Sequence, residues 1–342
     1  MTIPVLYAAA EANPNDLFTM LTQTSLIPLF VNRPPNVKVT GVNTKMSEKS
    51  FFGFFRFALR LRVYKFDTVL DLHDVIRSRI VDFIFRLCGT KIFIVDKRRG
   101  ERKRLVARPP KNIRPLRPVT ACYADVFRKA RFCFEETFVS LRLDAATDKD
   151  DFGVKNGQWI GTESLLSSVF LSSVFLKIGI APFAKHQGKV YPIEKMERVI
   201  ETLSEQEGLA LFLFGGRGEE ERTLNLWEKK YKNTICIAGR FSMDTELALI
   251  GQLDLLVSMD SANMHLASLV GTNVISIWGA THPYAGFYGY RQHEDLAVQV
   301  DLPCRPCSIY GNKPCYRGDW ACMSEITPQQ IIRKVNDYLK TS

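Results

Sequence analysis

The chain has 342 residues, 46% of them apolar and 24% charged, and 46 Lys and Arg outweigh 36 Asp and Glu for a formal net charge of +10. This composition fits a folded globular protein, excludes a disordered chain or a fibre, and at about 100–200 residues per domain suggests two domains. The longest strongly apolar stretch, Ser164 to Ile180, is broken by serines and a lysine and falls short of the roughly 20 apolar residues of a membrane span. Met1 to Ala10 has no basic stretch, so no secretory signal is evident.

In chain order, Met1–Ala12 reads as a helix, although an α/β domain usually starts with a strand. Val37–Val42, Val69–Leu72 and Lys91–Val95 read as strands. Val75–Leu87 places Val75, Ile76, Ile80, Phe83, Ile84 and Leu87 on one helical face. Phe51–Arg62 mixes five phenylalanines with Arg56, Arg60 and Arg62. Such a helix suits either a membrane surface or a core contact with a basic outer face. These elements fit a first α/β domain over residues 1–158, closing in the linker Asp148–Gln158.

A tandem repeat follows, LSSVF at Leu166–Phe170 and again at Leu171–Phe175, flanked by Trp159-Ile160-Gly161 and Ile178-Gly179-Ile180. We read residues 159–177 as a linker with an insertion. From residue 178 the pattern is regular. Strands at Ile178–Pro182, Ala210–Phe214, Thr234–Ile237, Leu255–Ser258 and Val274–Trp278 alternate with helices at Pro192–Leu203, Glu219–Tyr231, Thr245–Leu253 and Asn263–Val270. Such alternation implies parallel βαβ units, and nearly wholly apolar strands imply a sheet covered on both faces. Ligands bind outside the carboxyl ends of such strands. The segments there, Ala184–Lys189, Gly215–Gly218, Ala238–Arg240, Met259–Asn263 and Gly279–Pro283, suit a nucleotide or nucleotide-sugar. No dinucleotide fingerprint or P-loop is present.

Charge is uneven: residues 1–176 carry a net +11 and the remainder a net −1, with ten basic residues and one acid, Glu101, in Lys97–Arg117. Such a run attracts phosphates of a membrane face or nucleic acid, or is simply a solvated loop. It holds no aromatic residue for base stacking. Eight cysteines include a cluster, Cys304, Cys307, Cys315 and Cys322. The cluster reads as a structural zinc site or as four reduced thiols in a loop.

The run Val257-Ser258-Met259-Asp260-Ser261-Ala262-Asn263-Met264-His265-Leu266-Ala267 resembles the signature of glycosyltransferase family 9, the bacterial heptosyltransferases of lipopolysaccharide biosynthesis. Gly279-Ala280-Thr281-His282-Pro283, Ala181–Ala184 with Lys189–Pro192, and Gly215-Gly216 with Glu219 and Glu220 are similar to further family motifs. The resemblance is strong over residues 178–340 and weaker over 1–160. It implies GT-B architecture, two Rossmann-like domains with parallel sheets facing across a cleft. The nucleotide-sugar domain would be 178–326, and a C-terminal helix over 327–342 would cross back to the first domain.

The resemblance also implies an inverting transfer, with no required metal or cofactor, from an ADP-heptose or related donor to a lipopolysaccharide-core acceptor. The site would be cytoplasmic, at the inner face of the inner membrane, with peripheral contact to anionic lipid and no nucleic acid. Lys189 and Asp260 would be catalytic. Donor contacts would come from Lys189, Gly215, Gly216, Glu219, Glu220, Asp260, Ser261, Ala262, Met264, His265 and Thr281. Physically, Lys189 would face the leaving diphosphate, and the helix opening near Asp260 would offer free N–H groups. The family has Gly where this chain has Ala262, and four cysteines at the C-terminal loop also occur in family members. Family members open with a strand and a Gly-Asp loop carrying the catalytic base, and Met1–Val5 matches the helix after that loop. The expectation is therefore that roughly 15–25 residues precede this start, or that the chain is a nucleotide-sugar-binding remnant without turnover. A basic zinc-dependent nucleic-acid module has little motif support beside the regular βαβ half.

Overall fold

The computed structural model describes residues 1–42, 51–141 and 176–341. The repeat and both linker readings lie outside the described residues, apart from Leu176 and Lys177, which open a strand. No described helix is long and apolar enough to cross a membrane. The chain divides into two compact units. The first comprises Met1–Gly100 and Arg117–Val139, and the second comprises Glu101–Leu116 and Ser140–Ser342.

The second unit holds a six-stranded sheet in the order β10-β9-β8-β5-β6-β7. Its strands are β5 (Leu176–Ala181), β6 (Leu209–Leu213), β7 (Thr234–Cys236), β8 (Leu255–Met259), β9 (Val274–Ile277) and β10 (Ala297–Val298). Every strand pairing in this sheet among the described residues is parallel. The first strand, β5, is central: β6 and β7 follow on one side, β8 and β9 on the other. All residues of β6, β7, β8 and β9 are buried, as a sheet covered on both faces requires. At β5 a side chain on Gly179 would meet Leu256 Cδ1 at 2.5 Å and Leu253 Cδ1 at 2.6 Å, so glycine lets β8 and the residues just before it lie against the central strand.

Crossover helices cover the sheet. Helix α6 (Ile193–Ser204) buries Met196, Val199, Ile200 and Leu203, and Pro192 sits at its N-cap rather than within its first turn. Helices α7 (Glu219–Lys230), α8 (Met243–Ile250) and α9 (Ala262–Val270) follow β6, β7 and β8. Short α10 (Ala321–Ser324) precedes α11 (Pro328–Thr341). Helix α11 buries Ile331 and Val335 and packs on α6 and β9 of this unit, where Tyr338 Oη accepts from Asn273 at 2.7 Å. The helix is part of the second unit.

The first unit has two separate parallel ladders. One joins β1 (Phe18–Gln23) to β2 (Val37–Val42), the other β3 (Thr68–Asp71) to β4 (Lys91–Ile94). β1 escaped the sequence reading because its six residues are mostly half-buried and show no clean alternation. Helix α1 (Thr2–Ala12) buries Ile3 through Ala10, the all-round apolar pattern of an interior helix. It packs on α5 (Val119–Lys129). Helix α5 touches both ladders. Its Cys122 and Val126 pack on Val95, Leu70 and Phe93, and Phe127 stacks on Phe18 of β1 at 6.2 Å. Helices α2 (Phe51–Arg60) and α3 (Ile76–Leu87) lie against each other, joined by a 3-10 turn at Leu61–Tyr64 and β3. Helix α4 (Arg99–Leu105) spans the junction into the second unit.

At the end of β3, the Asp71 carboxylate accepts from the N–H groups of His73 (2.8 Å) and Asp74 (2.9 Å) and from Ser78 Oγ (2.7 Å). Asp82 faces it from α3 with Oδ2 buried and unpartnered. Burial, then repulsion from Asp71, pushes the Asp82 carboxyl up to about 7, against Arg79 and Arg86. An acid with a raised folded pKa binds more protons folded than unfolded, so its contribution falls as pH rises from about 4 to about 7. Asp82→Asn, which keeps a donor beside Asp71 at every pH, is expected to flatten that fall. At pH 8 it should raise unfolding free energy by about 1–3 kcal/mol. Urea denaturation at pH 5 and pH 8 checks it; equal shifts at both would contradict the assignment.

Candidate active site

In a parallel sheet all carboxyl ends lie along one edge, so the loops after β5, β8 and β9 of the second unit meet there. Lys189 ends a 3-10 turn, Gln187–Lys189, after β5. Asp260 directly follows β8, and its N–H donates to Ile277 at 3.1 Å, which continues the β8–β9 ladder one residue beyond the strand. Thr281 lies beyond β9. The three side chains converge on one atom: Asp260 Oδ2 accepts from Lys189 Nζ at 2.8 Å and from Thr281 Oγ1 at 2.8 Å. Asp260 and Thr281 are buried, while the Lys189 side chain keeps 16% of its surface exposed. A Lys ammonium has three donors, and one of them meets Asp260.

Helix α9 opens beside Asp260. Ser261 is its N-cap in an extended conformation, but no side chain caps the helix, and Ser261 Oγ lies 3.3 Å from Ser258 Oγ. The first-turn N–H groups of an uncapped helix favour an anion. Ala262 is exposed at the first helical position. His265 is half-buried, with a buried Nδ1 that has no hydrogen-bond partner among the described residues. Burial, helped by the Lys189 cation, pushes the imidazole down to about 3, so at neutral pH it offers one N–H and carries no charge. Met264 is fully buried, so its side chain belongs to the core and only its backbone is left for a ligand.

The glycine-plus-acid turn sits apart from this cluster in chemistry. Gly216 N–H donates to Glu220 Oε2 at 2.6 Å, and Gly218 N–H donates to Glu221 at 3.3 Å. Glu219 is exposed and pairs with Arg222 at 3.0 Å. Glu220 therefore shapes the Gly215–Gly216 turn, and Glu219 is a solvated helix-start acid. In the first turn of α8, burial pushes Glu246 up to about 7, opposed by Arg217 of that glycine turn.

The sequence reading missed the scaffold beneath Lys189. Gly311 has φ +73°, and a Cβ there would lie 2.6 Å from Lys189 Cγ, so glycine is needed for both backbone and space. Gly188 N–H donates to Gly311 O (3.1 Å), Ala280 N–H to Gly188 O (2.8 Å), and Cys307 N–H to Ala280 O (3.0 Å). Arg305, buried at 4% exposure, donates to the carbonyls of Gly279 (2.6 Å), Trp278 (3.1 Å), Thr281 (3.0 Å) and Val300, and to Gln299. One guanidinium thus fixes the turn that carries Thr281.

The basic run divides at the junction. Glu101–Leu116 belongs with the second unit, where Arg102 covers the Phe287 ring at 4.9 Å and Arg108 the Tyr316 ring at 5.5 Å. Lys111 Nζ donates to the carbonyls of Cys304 and Pro306. These cations are engaged in packing, so the reading of a free anion-attracting run applies to them only in part. All four cysteines of the cluster are free thiols, and burial raises Cys322 to about 11. Among the described residues no three His, Cys, Asp or Glu are arranged to hold a metal ion, so the zinc reading has no geometric support.

The profile of Glycosyltransferase family 9 (heptosyltransferase) matches residues 54–314. The chain belongs to that family. It is 21% identical over 343 residues to lipooligosaccharide heptosyltransferase 2 of Campylobacter jejuni, covering 98% of this chain and 93% of that protein. The crystal structure of a family 9 glycosyltransferase from Veillonella parvula superposes with a TM-score of 0.70 at 17% identity, over 100% of this chain and 93% of that one. Escherichia coli heptosyltransferase WaaC with ADP-2-deoxy-2-fluoro heptose gives 0.63 at 16% identity, over 98% and 94%. The fold is thus that of the GT-B heptosyltransferases, α/β with parallel sheets.

Arg305→Met should leave several buried carbonyls without donors and lower unfolding free energy by about 3 kcal/mol; a loss under 1 kcal/mol in urea titration would mean that the turn holds itself. The His265 ring is expected to stay neutral from pH 8 to pH 5. Its Cε1–H resonance, assigned by His265→Gln, should not move over that range, and a titration near pH 6.5 would show that the ring is solvated.

Proposed function

We propose that the protein transfers a heptose, or a closely similar sugar, from an ADP-activated donor to a lipopolysaccharide-core acceptor, with inversion at the anomeric carbon. The observation that carries this reading is the Lys189–Asp260–Thr281 cluster at the strand ends, beside the uncapped first turn of α9. An acceptor hydroxyl oxygen bonds to the anomeric carbon as the bond to the diphosphate oxygen breaks. The hydroxyl's proton passes to a carboxylate base as that bond forms, while Asp260 Oδ2, shared by Lys189 and Thr281, holds the cation in place. The leaving diphosphate gains charge, which donors fixed in advance stabilise. Lys189 supplies a cation there, and Asp260 is the positioning residue that holds it. The α9 N–H groups and the neutral His265 add uncharged donors. The WaaC complex with a fluorinated ADP-heptose supports the donor assignment, and the relatives' names support the acceptor class. A nucleotide-activated donor and a lipid-linked acceptor meet at the cytoplasmic face of the inner membrane.

Lys189→Ala is expected to lower kcat about 10²–10³-fold, read as ADP release with ADP-heptose and a lipid A–Kdo acceptor, with a smaller loss of donor affinity by calorimetry. Donor binding without turnover in the unmodified protein would favour the non-catalytic nucleotide-sugar binder. No donor binding at all would sink both readings.

A further inference from the structure

Helix α3 turns an apolar stripe to solvent. Ile76, Ile80, Phe83 and Leu87 recur at spacings of four, three and four, which is one face of a helix. Ile76 is 83% exposed, Phe83 60% and Leu87 73%. The opposite side of the helix already packs inward through Ile84 and Phe85. Neighbouring α2 adds exposed Phe55 and Leu59, and the 3-10 turn after it adds Val63, 82% exposed. Scattered exposed apolar residues are normal on a protein surface, but a contiguous set on two packed helices marks a contact face.

The charge around this face is of one sign. Arg77 stands on one shoulder of the α3 stripe, and Arg79 and Arg86 stand on the other. Arg56 and Arg60 lie on α2, and Arg62 in the turn. All six are exposed. Across residues 51–66 and 76–91 the one acid is Asp82, and it is buried. Arg79 pairs with the buried Asp74 at 2.6 Å, as does Arg99 at 2.7 Å. Among the described residues none of Arg56, Arg60, Arg62 and Arg77 is in an ion pair. Beneath the rim lies a groove of about 1030 Å³. Phe55, Ile76, Ile80 and Phe83 form its apolar wall, and Arg77 and Lys97 bring charge to it. Apolar side chains flanked by unpaired guanidiniums match the two layers of an anionic leaflet, acyl chains beneath and phosphates above. A soluble protein partner would need matching acids around an apolar centre, whereas a bilayer supplies both without further specificity.

We propose that α2, the following 3-10 turn and α3 form a face that docks the first unit on an anionic phospholipid bilayer. The stripe enters the acyl boundary, and the arginines meet the headgroup phosphates. The inference does not depend on the sugar-transfer reading, because no donor or acceptor is needed to observe it. The full chain should co-sediment with vesicles of phosphatidylcholine containing 30% phosphatidylglycerol at least tenfold more tightly than with phosphatidylcholine alone. Binding should fall at least tenfold in the triple variant I76S/F83S/L87S, and similarly in R56Q/R60Q/R77Q. Raising NaCl from 0.1 to 0.5 M should weaken the unmodified protein's binding. Unchanged thermal midpoints and unchanged far-ultraviolet circular dichroism would show that the variants fold. Equal binding to both vesicle types, no binding to either, or retention by the triple variant would each overturn the proposal. So would a concentration-dependent dimer that I76S/F83S/L87S abolishes, since a second copy would then be the occupant.

Discussion

A lysine ammonium held largely out of water is costly unless a charge and further hydrogen bonds compensate it, and the site depends on that condition at Lys189. Its partner, Asp260, is more buried than the lysine itself, so the pair would be a liability if either group lacked hydrogen bonds. Thr281 supplies a second donor to the same carboxylate oxygen. The arrangement leaves the carboxylate compensated and the ammonium at the surface with donors to spare. The direction of that imbalance matters. A satisfied buried acid facing a partly open cation prepares a place for an anion, and the uncapped start of α9 points the same way.

Such a cluster is only as fixed as the loops that bear it. Three segments distant in sequence meet here: the turn after β5, the turn after β9, and the stretch around Arg305–Gly311. Backbone hydrogen bonds from Gly188 to Gly311 and from Ala280 to Gly188 join them, and Arg305 replaces the strand partners that the Gly279 and Thr281 carbonyls have lost by leaving the sheet. A buried arginine spent on four backbone carbonyls and the Gln299 side chain has little role in binding. Its function is to let irregular chain lie inside the protein without unpaired polar groups. This separates residues that meet ligand from residues that hold those residues still.

The second unit was legible because its physics is local. Apolar runs of about five residues, helical spacings and small-residue turns alternate regularly, and five of the six strands lie within about two residues of their reading, while the two-residue β10 gave no signal. Lys189, Asp260 and Thr281 were legible from a family likeness that orders them along the chain, but their convergence on one oxygen atom was not. Arg305 and Gly311 carry no local signal: an arginine in a loop reads as a surface charge, and the need for glycine at 311 exists only because the Lys189 stem lies against it. Glu220 has a contact that its motif did not show: one oxygen of its carboxylate accepts from the Gly216 N–H. The cysteine spacing left zinc or four reduced thiols open, because ligand sets are decided by side-chain directions that spacing alone does not give.

The two units also differ in how fully their sheets are made. In the second, β5 is paired on both sides, and the strands beside it are wholly buried. In the first, β1 pairs with β2 and β3 with β4, no ladder joins the pairs among the described residues, and most residues of β1 and β3 are only half-buried. Among the described residues, the place β5 holds has no counterpart there. Cohesion passes instead through helices: α1, apolar on all sides, and α5, which touches both ladders. A unit joined by side-chain packing rather than by a continuous hydrogen-bonded sheet opens at lower free energy. The unit with the rigid sheet is the one that must hold Lys189 and Asp260 within a fraction of an ångström, while a lipid-facing surface on α2 and α3 makes no such demand, because a bilayer adapts to the surface it receives.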